Sequence, residues 1–216
     1  VDEFIDLNTS GDDYAYDANG NVIEDKNKAI TIVYNHLNKP TQINFIGGSN
    51  AGASIEYIYD AGGSKLQKIV TASSTTTTDY INGFHYENNT LRFFPHAEGR
   101  VVHEGNDLFH YEYTYTDHLG NARLTFTDTD EDGFIDIDPI NGEIVQVDHY
   151  YPYGQRMSGI SSVNGLVNDY RYNGKELQNE LGLNWYDYGA RMYDPSIGRW
   201  GGVDALAEDP MQEEFS

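Results

Sequence analysis

The densest chemistry in this sequence is carboxylate. Asp128-Thr129-Asp130-Glu131-Asp132-Gly133-Phe134-Ile135-Asp136 carries five acidic side chains in nine residues. Asp at alternate positions followed by glycine matches the first half of an EF-hand-type loop, where carboxylates at positions 1, 3 and 5 converge on a cation and glycine permits the sharp turn. Asp128, Asp130 and Asp132 would supply those oxygens, Phe134 its carbonyl, and Asp136 a carboxylate or a water contact. Position 12 is Pro139, so the bidentate glutamate of that pattern is missing, and Asp138 or Glu143 would have to replace it. Without a cation, such neighbours repel by roughly 1 kcal/mol per 4 Å pair even in water. A hard divalent ion relieves this, and calcium suits many oxygens with no fixed octahedral frame better than magnesium does. The alternative is a solvated acidic loop between Arg123-Leu124-Thr125-Phe126 and Ile144-Val145-Gln146-Val147.

Other chemistries find little support. His36, His85, His96, His103, His110, His118 and His149 are scattered, with no His-Glu-x-x-His spacing for zinc. Asp117-His118 and Asp148-His149 are adjacent pairs, which on a strand point to opposite faces and do not make a base with its orienter. No Gly-x-Ser-x-Gly elbow supplies a nucleophile. Gly47-Gly48-Ser49-Asn50-Ala51-Gly52 is followed by Ala53 and not Lys, so a phosphate loop is unsupported. Paired carboxylates are abundant because acid is abundant, and carry no weight for glycoside hydrolysis. The expectation is a segment without catalysis of its own.

The elements that position these residues follow from composition. The chain has 216 residues, 35 acidic against 13 basic, for a net charge of −22. That balance leaves no basic footprint for nucleic acid. No apolar run approaches the roughly 20 residues that span a bilayer, and Val1-Asp2-Glu3 has no signal-peptide character, so the chain reads as soluble, with any export signal outside it. Zero Cys rules out disulfides and thiolate chemistry and leaves the compartment open. The 18 Tyr and 22 Gly favour pleated strands joined by tight turns, and their abundance argues against disorder.

Repetition sharpens this to hairpins. Tyr-Asp or a close variant precedes a Gly or Asn turn at Tyr16-Asp17-Ala18-Asn19-Gly20, Tyr34-Asn35-His36-Leu37-Asn38, Tyr59-Asp60-Ala61-Gly62-Gly63, Tyr115-Thr116-Asp117-His118-Leu119-Gly120 and Tyr186-Asp187-Tyr188-Gly189. Asn19-Gly20 and Gly62-Gly63 suit the positive φ of a two-residue hairpin turn, and the Tyr ring is expected to cover the neighbouring hairpin with its hydroxyl near water. The fold class is all-β: stacked hairpins of roughly 15 strands, too many for a flat open sheet, hence a curved strip. Its unpaired edges call for further repeats or a partner. Ser73 to Thr78 reads as a solvated strand or hairpin tip, and at most one short helix is expected, near 174–182, with Gly182 as its terminator.

The C-terminal half carries a resemblance. Asp117-His118-Leu119-Gly120-Asn121-Ala122-Arg123 and Tyr150-Tyr151-Pro152-Tyr153-Gly154 resemble the bacterial RHS-repeat, or YD-repeat, proteins. So do Tyr172-Asn173-Gly174-Lys175-Glu176-Leu177 and the run from Gly182 through Trp185, Tyr186, Asp187, Tyr188, Gly189, Ala190, Arg191, Met192, Tyr193, Asp194, Pro195, Ser196, Ile197, Gly198, Arg199 and Trp200. That last stretch is similar to the RHS repeat-associated core domain in the form common among Bacteroidetes polymorphic toxins. The resemblance implies a hollow β-shell enclosing a C-terminal toxin or effector. Within it, Trp185, Tyr186, Tyr188, Tyr193 and Trp200 would plug the wall, with Asp187, Asp194 and Asp204 as ion-pair candidates for Arg191 and Arg199.

On this basis the chain divides into YD hairpins at 1–109, an RHS core at 110–207 with an acidic insert at 127–143, and a truncated tail at 208–216. Many members cut themselves at a downstream Asp-Pro-x-Gly motif; Asp138-Pro139, Asp194-Pro195 and Asp209-Pro210 lack that glycine, so cleavage would belong downstream. The implied partners are the remaining repeats of the same polypeptide, an attached C-terminal effector and secretion machinery, with a secreted or cell-surface location. The rival reading is a surface module whose exposed aromatics bind glycans or protein, and a weaker one is part of a self-cleaving core.

Overall fold

The computed structural model describes residues 8–138 and 142–204. The expected tail at 208–216 and Pro139 lie outside the described residues. Among those described there are strands, bridges and single 3-10 turns, and no α-helix. Fourteen strands form an antiparallel sheet in strict chain order, whose order has two ends, so the sheet is not a closed barrel. The chain divides into two compact units.

The terminal unit combines Phe4–Thr75 with Asn179–Ser216. It contains β1 (Tyr14–Tyr16), β2 (Val22–Asp25), β3 (Ile30–Tyr34), β4 (Pro40–Phe45), β5 (Ser54–Tyr59) and β6 (Lys65–Thr71). Alternation sets which face is buried. Ile30 lies opposite Phe45, Ile32 opposite Ile43, and Ile43 opposite Ile55, so one apolar row crosses three strands. Ile30, Ile43 and Ile55 have 0% exposure, and each fully buried side chain of this size contributes about 1.5–3 kcal/mol.

The β1–β2, β3–β4 and β5–β6 hairpins share one turn device. Asp17 N–H donates to Asn21 O (3.0 Å), Gly20 N–H returns to Asp17 O (3.1 Å), and Asp17 Oδ1 accepts from the Asn19 and Asn21 amides (2.9 Å each). Asn35 does the same for Leu37 and Lys39, and Asp60 for Gly62 and Ser64. Only the fourth residue takes positive φ (Gly20 at 77°, Asn38 at 56°, Gly63 at 82°), and the pairing then slips by one residue. The expected two-residue turn is thus replaced by a longer one with a bulge, because the Asx oxygen stabilises the extra residue.

The tyrosines also depart from expectation. Tyr34 Oη donates to Val22 O and Tyr59 Oη to Pro40 O, both at 2.9 Å, so these hydroxyls are buried against the preceding hairpin and not near water. Burial raises both phenols well above their usual range. Tyr16, by contrast, is 52% exposed.

The central unit runs through Thr76–Gln178. It holds β7 (Thr75–Ile81), β8 (Phe84–Glu87), β9 (Thr90–His96), β10 (Gly99–Gly105), β11 (Leu108–Thr116), β12 (Ala122–Phe126), β13 (Ile144–Val147), β14 (Ser162–Val163) and β15 (Glu176–Gln178). Here Asn82-Gly83, Asn88-Asn89 and Asn106-Asp107 place two successive residues at positive φ, the two-residue turn proper. The Asx device returns at Asp117, and Tyr150 Oη donates to Ala122 O (2.8 Å). One face of β11 shows Phe109, Tyr111, Tyr113 and Tyr115. Across it, Phe94, Val101 and Tyr111 align, as do His96, Gly99, Tyr113 and Phe126, with no acidic residue among them.

The stretch near 174–182, where at most a short helix is expected, holds no α-helix. Tyr172–Gly174 and Glu180–Gly182 are single 3-10 turns with β15 between them. Asn173 (φ 51°) and Leu181 (φ 55°) adopt left-handed backbone, which no α-helix continues through.

Candidate functional site

Two constellations emerge, an acidic loop in the central unit and an aromatic segment in the terminal one. The loop leaves β12 at Phe126 and re-enters the sheet at β13. Thr127 N–H donates to Glu143 O (3.0 Å) and Glu143 N–H to Asp136 O (2.7 Å), so backbone bonds bring Glu143 back over the start of the loop. Its carboxylate accepts from the Asp136 amide (3.1 Å) and from the Thr129 amide. Those two donors hold its pKa below the usual carboxylate range.

Carboxylate oxygens of Asp128, Asp130 and Glu143 lie within 4.8 Å of one another. Calcium binds oxygens at 2.3–2.6 Å, so ligands across the ion stand up to about 5 Å apart, and the three fit one shell. Asp128 Oδ2 accepts from Gly133 N–H (3.1 Å), while Asp128 Oδ1 is shielded from solvent without a hydrogen-bond partner, an orphan acceptor that a cation would satisfy. Asp132 and Asp136 lie outside this group and cap turns, accepting from Phe134 N–H (2.8 Å) and Asp138 N–H (2.9 Å). Phe134 is 77% exposed. Of the two replacements weighed for position 12, Glu143 is the one brought to Asp128 and Asp130; its signal in the sequence was only that a hairpin loop must return.

The aromatic segment is built from β16 (Trp185–Asp187), β17 (Met192–Asp194) and β18 (Arg199–Trp200), a short antiparallel meander. Leu183, Trp185 and Met192 complete the apolar row of β3–β5, packing with Ile30, Ile43, Phe45 and Ile55. Trp185, Tyr186 and Tyr193 are buried; Tyr188 is half-buried and Trp200 is 40% exposed. Tyr188 and Tyr193 meet Trp200 ring to ring at 4.9 and 5.1 Å, and the Arg191 guanidinium lies 4.4 Å from the Trp200 ring. Pro195 is buried, Gly198 takes positive φ in the β17–β18 turn, and Arg199 is exposed.

The ion pairs differ from the expected set. Arg191 does reach Asp204 (2.5 Å). Asp187 instead pairs with Lys65 (2.7 Å) and Asp194 with Lys28 (3.3 Å), while Lys68 pairs with Glu180. Lys39 Nζ donates to Gly189 O (2.8 Å). Lysines from successive turns and strands of the wall therefore clamp the segment; in a chain with only 13 basic residues, their concentration at 28, 39, 65 and 68 was the signal to read. Asp194 also accepts from Trp185 Nε1–H (2.9 Å) and Ser196 N–H (2.9 Å), which fixes the indole in the core.

No family model matches the sequence. Among curated proteins, the chain is 26% identical over 171 residues to toxin subunit YenC1 of Yersinia entomophaga, covering 68% of this chain and 16% of that protein. It is 33% identical over 98 residues to salivary gland surface protein 1 of Aedes aegypti, covering 45% of this chain and 2% of that one. Among solved structures, the TcdB2-TccC3 crystal structure matches with TM-score 0.66 and 21% identity, over 88% of this chain and 10% of that one. The Photorhabdus luminescens Tc holotoxin pore carrying TccC3-D651A matches with TM-score 0.62 and 19% identity, over 89% of this chain and 9% of that one. The chain thus spans about a sixth of YenC1 and a tenth of the solved chains. It is similar in sequence to one toxin subunit and shares the fold of the Tc toxin structures it matches.

Proposed function

We propose that this chain is part of an RHS-type β-shell, wall strands together with the segment that seals their apolar face, and that the whole shell houses an attached C-terminal effector. The observation that carries the reading is the lysine-clamped aromatic segment: Trp185, Met192 and Leu183 cover the wall's apolar row, while Lys28, Lys65 and Lys68 fix it by charge. The likeness to YenC1 and to the Tc toxin structures supports it. The role is mechanical: the wall separates its contents from solvent and proteases, and chemistry belongs to the effector. The natural setting is a secreted or surface-bound complex, and among the described residues no helix is long and apolar enough to cross a membrane. Calcium, held by Asp128, Asp130 and Glu143, would brace the acidic insert. Electron micrographs of the parent polypeptide test the reading: a hollow particle is expected, and a compact solid one rules it out.

A second reading, a recognition module, is favoured by the acid-free aromatic face of the central unit, where Phe109, Tyr111 and Tyr115 are 50–68% exposed. Exposed aromatic patches of this kind mark interaction surfaces. A glycan array probed with the chain and with Tyr111→Ala separates the readings; signals that the substitution abolishes favour recognition, and a blank array favours housing alone.

A further inference from the structure

The central unit contains a cavity of about 310 Å³. It opens to solvent on one side and has room for a guest the size of one or two rings. Its lining includes Phe93 and Pro95 of β9, Ala122 of β12, Thr114 of β11, and His85 and Tyr170. The rings form one wall: His85 stacks on Phe93 (centroids 4.2 Å, planes 17° apart), and Tyr170 stands edge-on to both, at 5.6 and 6.4 Å.

Arg100, His85 and Tyr170 of the lining are already engaged with the protein. Arg100 donates through Nε to Glu112 (2.6 Å), through Nη1 to Val167 O (3.2 Å) and through Nη2 to Leu166 O (2.9 Å). The Tyr170 hydroxyl and His85 Nε2 share a hydrogen bond of 3.0 Å. The Arg100–Glu112 pair balances its own charge, so the lining offers a charged guest no free counter-ion, and the chain's net charge of −22 further disfavours an anionic one. What is left is shape and apolar surface bounded by aromatic rings. An engineered apolar cavity of about 150 Å³ already takes up benzene.

We propose that this cavity is a binding site for an uncharged aryl group of indole or phenyl size. Two sources share that chemistry: a free aromatic small molecule, or an aromatic side chain of a polypeptide lying against this face, the second resting on the housing function proposed above. The ring would lie against the His85–Phe93 stack and meet the edge of Tyr170.

The test titrates indole into the ¹⁵N-labelled 216-residue chain and follows backbone amide shifts. Saturable shifts confined to Phe93, Gly99, Ala122 and their neighbours are expected. Thr116, an exposed lining residue, is replaced in Thr116→Trp to fill the mouth; affinity should fall at least ~10-fold through lost apolar contact, while Tyr153→Trp, at a 67% exposed position outside the lining, leaves it unchanged. The remainder of the spectrum reports that Thr116→Trp is folded. A parallel arm uses a neutral pentapeptide with one central Trp. Tighter binding than indole assigns the site to a polypeptide, and equal or weaker binding assigns it to a small molecule. No saturable shift up to the solubility of indole, or equal affinity in folded Thr116→Trp, overturns the proposal.

Discussion

At the scale of single residues, the wall depends on two side chains doing separate jobs. The Asx carboxylate or amide holds its own turn; the tyrosine before it reaches the carbonyl just past the previous turn, as Tyr34 does with Val22 and Tyr59 with Pro40, and Tyr150, which precedes Tyr151 and not an Asx residue, makes the same bond to Ala122. Removing a hydroxyl therefore leaves a shielded carbonyl without its donor, a loss of about 1–3 kcal/mol. Tyr59→Phe should lower stability by that amount in urea unfolding, whereas Tyr16→Phe, 52% exposed, should change it by less than ~0.5 kcal/mol. Equal effects at both positions would mean that the hydroxyl contributes nothing specific. The Tyr-Asp spacing announced the hairpins, but it could not announce this bond: the acceptor lies 12 to 28 residues upstream and comes into reach only through the register of the sheet.

The same separation of local from distant information runs through the elements. Strands with a clean apolar alternation, such as Ile30-Thr31-Ile32-Val33-Tyr34, were legible because the period of two fixes both conformation and buried face. The stretch at 174–182 was not, because Lys175-Glu176-Leu177-Gln178 has helical propensity while Asn173, Gly174, Leu181 and Gly182 all sit at positive φ and confine it to a short strand. The acidic loop was legible as a loop, and its returning Glu143 became evident only once β13 was in register with β12. If calcium joins Asp128, Asp130 and Glu143, millimolar calcium should raise the melting temperature by a few °C over chelator, through mass action on the folded state. Glu143→Gln should abolish most of that gain, and superimposable melting curves with calcium and chelator would exclude an occupied site.

For the molecule as a whole, acid acts in two opposed directions. Asp17 is held below its usual pKa chiefly by the Asn21 side chain, and Asp60 by the Ser64 amide. At Asp117 burial opposes the shift, and the Asn121 side chain and amide donors outweigh it. Groups lowered on folding contribute stability above their unfolded pKa and lose it as pH falls through the folded one, so the turns weaken below about pH 4. Asp25 behaves oppositely: burial, reinforced by Asp194, raises its pKa against the Lys28 and Asn27 donors. Its contribution is complete below its unfolded pKa and is lost as pH rises through the folded one. Asp25→Asn keeps an acceptor for those amides and removes the charge. It should melt higher than the parent at neutral pH, by a few °C, with the gap closing by about pH 4. A gap that widens on acidification would refute this account of Asp25.

The terminal unit is assembled from both ends of the chain, and this constrains how it can be made. Leu183, Trp185 and Met192 reach the row of Ile30, Ile43 and Ile55 only after more than a hundred intervening residues have left the ribosome. Until then the nascent wall presents a bare oily surface, and contacts so remote in sequence form slowly. Synthesis that stalls before Asn179 would release a sticky, incomplete product, so the lysine-latched stretch would serve as a biosynthetic checkpoint: only chains extended through it can hide that surface.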